Sequence, residues 1–225
     1  DGGGPAVELT GRDGEPAVTE ALPVDDEVAS VLADVYAAEI DDPIVVVAHS
    51  SGGLVVPGVV AGLGARVAHV VLNAALVPTE GGCGVECMKP RHRDGLVLAV
   101  EAARRGGGAM PILPGPPTDP EAFRHSYGGD PLDDDALAFV VDPVRSVPDT
   151  VHHYFQPIHW SAAAGVPVTY VINERDRPIP TSMQEEMVPR LPGHPRVVRL
   201  DCGHLPAVTE PETFARVLAT ALVDG

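Results

Sequence analysis

The sequence predicts an α/β fold, a mainly parallel sheet flanked by helices and interrupted by one helical insertion. Short β-branched runs alternate with segments of helical periodicity near both ends of the chain. Between about residues 80 and 159 that alternation breaks down into glycine- and proline-rich turns and short polar stretches.

Taken in order, Ala6–Thr10 reads as a short strand that Gly11–Gly14 stops with a turn. Asp25 or Asp26 is placed to cap a helix whose inner face is Val28, Val31, Leu32, Val35 and Tyr36. Ile44–Ala48 is continuously apolar, the pattern of a parallel strand covered on both faces. A helix from about Ser51 and a strand over Val67–Leu72 follow. After the insertion come a strand at Pro167–Ile172, a helix at Thr181–Leu191 and a strand at Arg196–Leu200. The last helix starts at Pro211 and carries Phe214, Val217, Leu218, Ala221 and Leu222 on one face. Residues 1–79 and 160–225 are thus read as the core, and 80–159 as a cap of short helices and loops over the sheet.

Composition narrows the function. A formal charge of −17 disfavours binding to a nucleic-acid backbone or an anionic membrane, so the expected partner is a small molecule. No apolar run approaches the roughly 18 residues that a spanning helix needs, and no secretory apolar region opens the chain. A cytoplasmic location is the expectation. Three cysteines do not make a disulfide framework, and Cys83, Cys87 and His92 lack a fourth ligand at a zinc-like spacing. The reading calls for no metal and no cofactor.

The most informative stretch is VVVAHSSGGL, residues 45–54. A buried strand runs directly into Ala48-x-Ser50-x-Gly52-Gly53, and a helix follows. In so tight a strand-to-helix turn the serine hydroxyl is thrust above the sheet edge, and small neighbours avoid collisions across the turn. The helix's first amides face the same spot and suit a developing oxyanion. A serine needs a base, and two later stations supply partners in the order serine, acid, histidine. Asp176 follows one strand end and His204 follows the next, both at the carboxyl edge where open α/β sheets build their sites.

Ala48–Leu54, ERDRPIP ending at Pro180 and LDCGHLPAVTEPETFA from Leu200 together resemble the α/β-hydrolase superfamily, in particular its small esterase and hydroxynitrile-lyase-like branch. The resemblance implies Ser50 as nucleophile, His204 as general base and then acid, and Asp176 as the group orienting the imidazole. It implies that Ser51 donates an oxyanion-hole amide. Glu174 is a rival acid, Asp201 stands very near His204 along the chain, and His49 is expected to turn away from Ser50 and to be packed or hydrogen-bonded. Three departures stand out. Ala48 replaces the usual glycine, and Pro57 is expected to kink the helix after Ser50. The family's His-Gly loop has no counterpart before Ser50. That gap implies either residues ahead of Asp1 or an Ala6 strand moved inward, with Gly11–Gly14 as second donor.

Aromatic residues are only 4% of the chain, yet Tyr154, Phe155 and Trp160 cluster where the insertion rejoins the core. They suit either the lining of a substrate pocket or the packing that holds the cap down. His152, His153 and His159 are read as hydrogen-bonded cap or surface residues. The leading function is a serine hydrolase of a small, largely apolar ester, lactone or thioester. A lyase or cyclase of secondary metabolism using His204 for proton transfer, and a non-catalytic ligand binder, are the alternatives.

Overall fold

The computed structural model describes residues 23–40, 43–127 and 132–223. The strand expected at Ala6–Thr10 and the turn at Gly11–Gly14 lie outside these residues, as do the side chains of Ala221 and Leu222.

Helix α1 (Val24–Ala37) starts behind Pro23. Asp25 and Asp26 do not cap it. They occupy its first turn with Glu27, where negative charge meets the positive end of the helix dipole. Val24, Val28 and Val35 are buried, and Val31 and Leu32 pack against the same core. Tyr36, expected on that face, is 54% exposed. Its hydroxyl donates to the Gly62 carbonyl at 3.2 Å, and the Arg66 guanidinium lies 5.7 Å from its ring.

Strand β1 (Ile44–His49) is followed by a 3₁₀ turn, Ser50–Leu54, and only then by helix α2 (Val56–Leu63). Pro57 therefore sits in the first turn of α2 and kinks nothing, because its missing N–H would have had no helical partner there. Helix α1 closes on α2 because α2 presents two glycines: a Cβ at Gly58 would lie 2.6 Å from Val28 Cγ2, and one at Gly62 2.5 Å from Leu32 Cδ1. Strand β2 (Val67–Asn73) completes the first half.

The segment from 80 to 159 holds α3 (Pro90–Gly106), β3 (Ile112–Leu113), α4 (Pro120–Tyr127), α5 (Asp134–Val140) and β4 (Asp149–Thr150). Its helices are not all short, since α3 spans 17 residues and ends on Gly107 in the left-handed region. Strands β3 and β4 pair antiparallel. Val85, Leu96, Val100 and Val151 form a small apolar cluster of their own, whereas Tyr154, Ile158 and Trp160 belong to the main core.

Strand β5 (Val168–Asn173), helix α6 (Thr181–Met187), strand β6 (Arg196–Leu200), the short α7 (Pro206–Thr209) and α8 (Pro211–Val223) follow. The parallel sheet has the order β1-β2-β5-β6. Strands β2 and β5 are central and almost wholly buried. Strand β1 is an edge of this described sheet rather than covered on both faces, and Val47 is 47% exposed. Among the described residues no helix is long and apolar enough to cross a membrane.

The 3₁₀ turn sits tightly on the chain leaving β2. A Cβ at Gly53 would lie 2.5 Å from the Leu76 carbonyl oxygen, whereas one at Gly52 would meet only Ala48 Cβ at 3.9 Å. Only Gly53 is required by close approach. Gly53→Ala should therefore cost about 1–3 kcal/mol through backbone displacement, and Gly52→Ala should stay within about 0.5 kcal/mol. Thermal denaturation of both variants checks this; equal melting temperatures would contradict it.

Candidate active site

Ser50 leaves β1 with φ 54°, in the left-handed region that a non-glycine residue enters at a cost of about 1–3 kcal/mol. Two features hold it there. The Leu76 N–H donates to the Ser50 carbonyl at 2.9 Å, and Gly53 packs on the same Leu76 backbone. The strained φ falls directly after the carboxyl end of β1, where the chain leaves the strand's direction. Ser51 is half-buried and follows at the start of the 3₁₀ turn, where backbone amides lack helical partners.

Asp176 stands three residues beyond β5, with its side chain fully buried. Its Oδ1 accepts from the Ile179 N–H at 2.7 Å, and its Oδ2 accepts from His204 Nδ1 at 2.6 Å. The loop that carries it is stapled by Gln184, which no sequence signal had marked. Gln184 Oε1 accepts from the Asn173 N–H at 2.9 Å, and its Nε2 donates to the carbonyls of Asn173 at 3.1 Å and Ile179 at 2.7 Å. The other two carboxylates point elsewhere. Glu174 pairs with Arg199 at 3.3 Å on the surface, and Asp201, 81% exposed, pairs with Arg175 at 3.0 Å.

His204 lies just past β6, at the opposite edge of the described sheet from β1, yet its loop returns across the strand ends. Its ring sits 4.4 Å from the ring of His49, tilted by 53°, and 5.6 Å from that of Tyr127. His49 Nε2 donates to the His204 carbonyl at 2.9 Å. Burial, and then the adjacent His204, push the His49 pKa down to about 3, against the opposing effect of that hydrogen bond. His49 is thus neutral. Burial, followed by the nearby Asp176, pushes the Tyr127 hydroxyl upward. The structure joins Asp176 to His204 and sets His204 against the residue preceding Ser50. Among the described residues no hydrogen bond links Ser50 to His204, a contact that often tightens only with substrate bound.

Beside His204 lies a small cleft lined by Phe123, Arg124, Tyr127, Leu132, Leu205 and Thr209. A larger one, at Thr169, Arg196, Val198 and Arg216, contains none of the three strand-end groups. Neither includes Tyr154, Phe155 or Trp160. Trp160 is 1% exposed and Tyr154 8%, both packed into the main core, while Phe155 lies half-buried with the Arg104 guanidinium 5.9 Å from its ring. None of the three lines the cleft beside His204. The aromatics that reach His204 come from α4, where Phe123 and Tyr127 stack at 4.7 Å. Their i, i+4 spacing in a chain so poor in aromatics was the available signal. His153 is not a surface residue either: 1% exposed, it lies between Glu27 at 3.5 Å and Asp149 at 3.6 Å. Among the described residues no group of three or more His, Cys, Asp or Glu side chains is placed to hold a metal.

Comparison with known proteins agrees with this architecture. No curated protein matches the sequence. Among solved structures, an extracellular α/β-hydrolase from a Paenibacillus species is similar with a TM-score of 0.69 at 16% identity, over 89% of this chain and 80% of that one. A pyrethroid hydrolase from Sphingobium faniae also reaches 0.69, at 19% identity over 95% and 83%. A polyneuridine aldehyde esterase variant reaches 0.65, at 15% identity over 96% and 86%. At such identities these likenesses speak to the fold. A model of the alpha/beta hydrolase family matches residues 4–217, nearly the whole chain, and with it the protein belongs to the α/β-hydrolase family.

Proposed function

We propose that the protein is a serine hydrolase of small, largely apolar esters, lactones or thioesters. The observation that carries the reading is the buried 2.6 Å bond from His204 Nδ1 to Asp176, at the sheet edge where Ser50 is held in a left-handed turn. With Nδ1 donating to the carboxylate, His204 presents its other nitrogen as the base. Ser50 Oγ attacks the substrate carbonyl carbon while that nitrogen takes its proton. Asp176 stabilises the imidazolium, and the oxyanion accepts a hydrogen bond from the Ser51 amide. Collapse of the tetrahedral species returns the proton to the departing alcohol or thiol and leaves an acyl-serine. Water, deprotonated by His204, then releases the acid.

The side chains of Phe123, Tyr127, Leu132 and Leu205 beside His204 supply apolar surface for a substrate, with Arg124 as the charged group of the same cleft. That esterases and a pyrethroid hydrolase share the fold supports the reaction class. The partner is then a small molecule, and segment 80–159 serves as the cap through α4.

Ser50→Ala should lower p-nitrophenyl acetate hydrolysis at least about 1,000-fold and abolish fluorophosphonate labelling, read as the loss of one mass adduct on the intact protein. Hydrolysis that persists in this variant would reject the acyl-enzyme. Asp176→Asn should cost about 10,000-fold in kcat, because the amide favours the wrong imidazole tautomer. Glu174→Gln, which alters only a surface pair, should stay within about threefold. Steady-state kinetics of the two variants side by side would detect a reversed order.

A further inference from the structure

His49 does more than fill space between Ser50 and the sheet. Its Nε2 meets the carbonyl of His204, a residue 155 positions away, at 2.9 Å. A carbonyl can only accept, so the proton must sit on His49 Nε2. Among the described residues this is the hydrogen bond that anchors the backbone of His204. The His49 ring also packs on the His204 ring. One side chain therefore holds both the backbone and the imidazole of His204, and it belongs to the residue covalently joined to Ser50.

We infer that His49 is a positioning residue, a hydrogen-bond donor that sets the placement of the His204 base relative to Ser50. The inference rests on the proposed hydrolase reading. His204 arrives on the loop Asp201-Cys202-Gly203, which Arg175 holds to the chain after β5 through its N–H to the Cys202 carbonyl at 2.9 Å, but Gly203 and His204 lie beyond that tie. Asp176 fixes the ring at Nδ1 but stands beyond β5, two strands from Ser50 in the sheet order. The tie to β1 supplies the missing coordinate. Misplacement of a reacting group by about 1 Å can cost about 100-fold in rate. Among the described residues Tyr127, Asp176 and His49 are set against His204 and Arg124 shares its cleft, and burial keeps His49 uncharged. Its N–H is donated to the His204 carbonyl, and an uncharged His49 sets no second positive charge beside the imidazolium.

Three variants test this. His49→Gln keeps an N–H at a similar reach, His49→Phe keeps a ring without the donor, and His49→Ala removes both. The Phe and Ala variants should lose about 10- to 100-fold in kcat for p-nitrophenyl acetate with KM within about threefold, and Gln should recover to within about fivefold of the parent. A second readout does not depend on hydrolysis. The downfield proton resonance of His204 Nδ1–H, identified by its loss in Asp176→Asn, should vanish through exchange with water in the Phe and Ala variants and persist in Gln. Parent-like kcat and a retained resonance in the Phe variant would overturn the assignment. So would equal losses in Gln and Ala at matched melting temperatures. If Ser50→Ala remained active the hydrolase reading would fall, while the resonance would still decide whether His49 holds His204.

Discussion

The structure turns on the contact between the Ser50–Leu54 turn and the chain leaving β2. Ser50 occupies a backbone region that repels its own Cβ, and a turn of that kind persists only where its surroundings over-determine it. Leu76 provides the restraint twice: its N–H bonds the Ser50 carbonyl, and its carbonyl lies where any side chain at position 53 would have to go. With the turn seated this way, Leu54 points into the core at 1% exposure. Gly84, at the start of the insertion, then closes on it, since a Cβ there would lie 2.7 Å from Leu54 and 3.1 Å from Tyr154. The proposed nucleophile, the sheet and the start of segment 80–159 thus share one packed junction.

The polar groups of the site follow a complementary logic. A carboxylate with its side chain fully buried needs hydrogen-bond partners to remain there. Asp176 has one to each oxygen, from Ile179 and His204, and Gln184 keeps the loop in the shape that aims them. A second buried polar cluster, His153 between Glu27 and Asp149, ties α1 to the end of the insertion. Segment 80–159 thus meets the rest of the chain through polar contacts as well as through the packing of Tyr154.

Local features were legible in the residues themselves. Val67–Leu72 signals a strand because a buried parallel strand requires apolar side chains on both faces, Ile44–Ala48 does so through its β-branched run, and α1 showed its 3.6-residue period. The serine corner, and the placement of Asp176 and His204 just beyond strand ends, were readable for the same reason. Boundaries were less so. Pro57 reads as a kink until the 3₁₀ turn before it shifts the helix start to Val56, since the sequence does not state which turn is the first.

What the sequence by itself determined is the class of fold, the order of its elements and the corner that presents Ser50, all set by neighbours a few residues apart. Tertiary structure alone decided which acid reaches His204, because Glu174 and Asp176 differ only in how the loop after β5 turns. It also decided that Trp160 is core and Tyr127 borders the cleft, since the transfer of an aromatic ring out of water is equally favourable in either place. The partnership of His49 with His204 joins residues 155 positions apart, and nothing in either local sequence encodes the loop path that brings them to 2.9 Å.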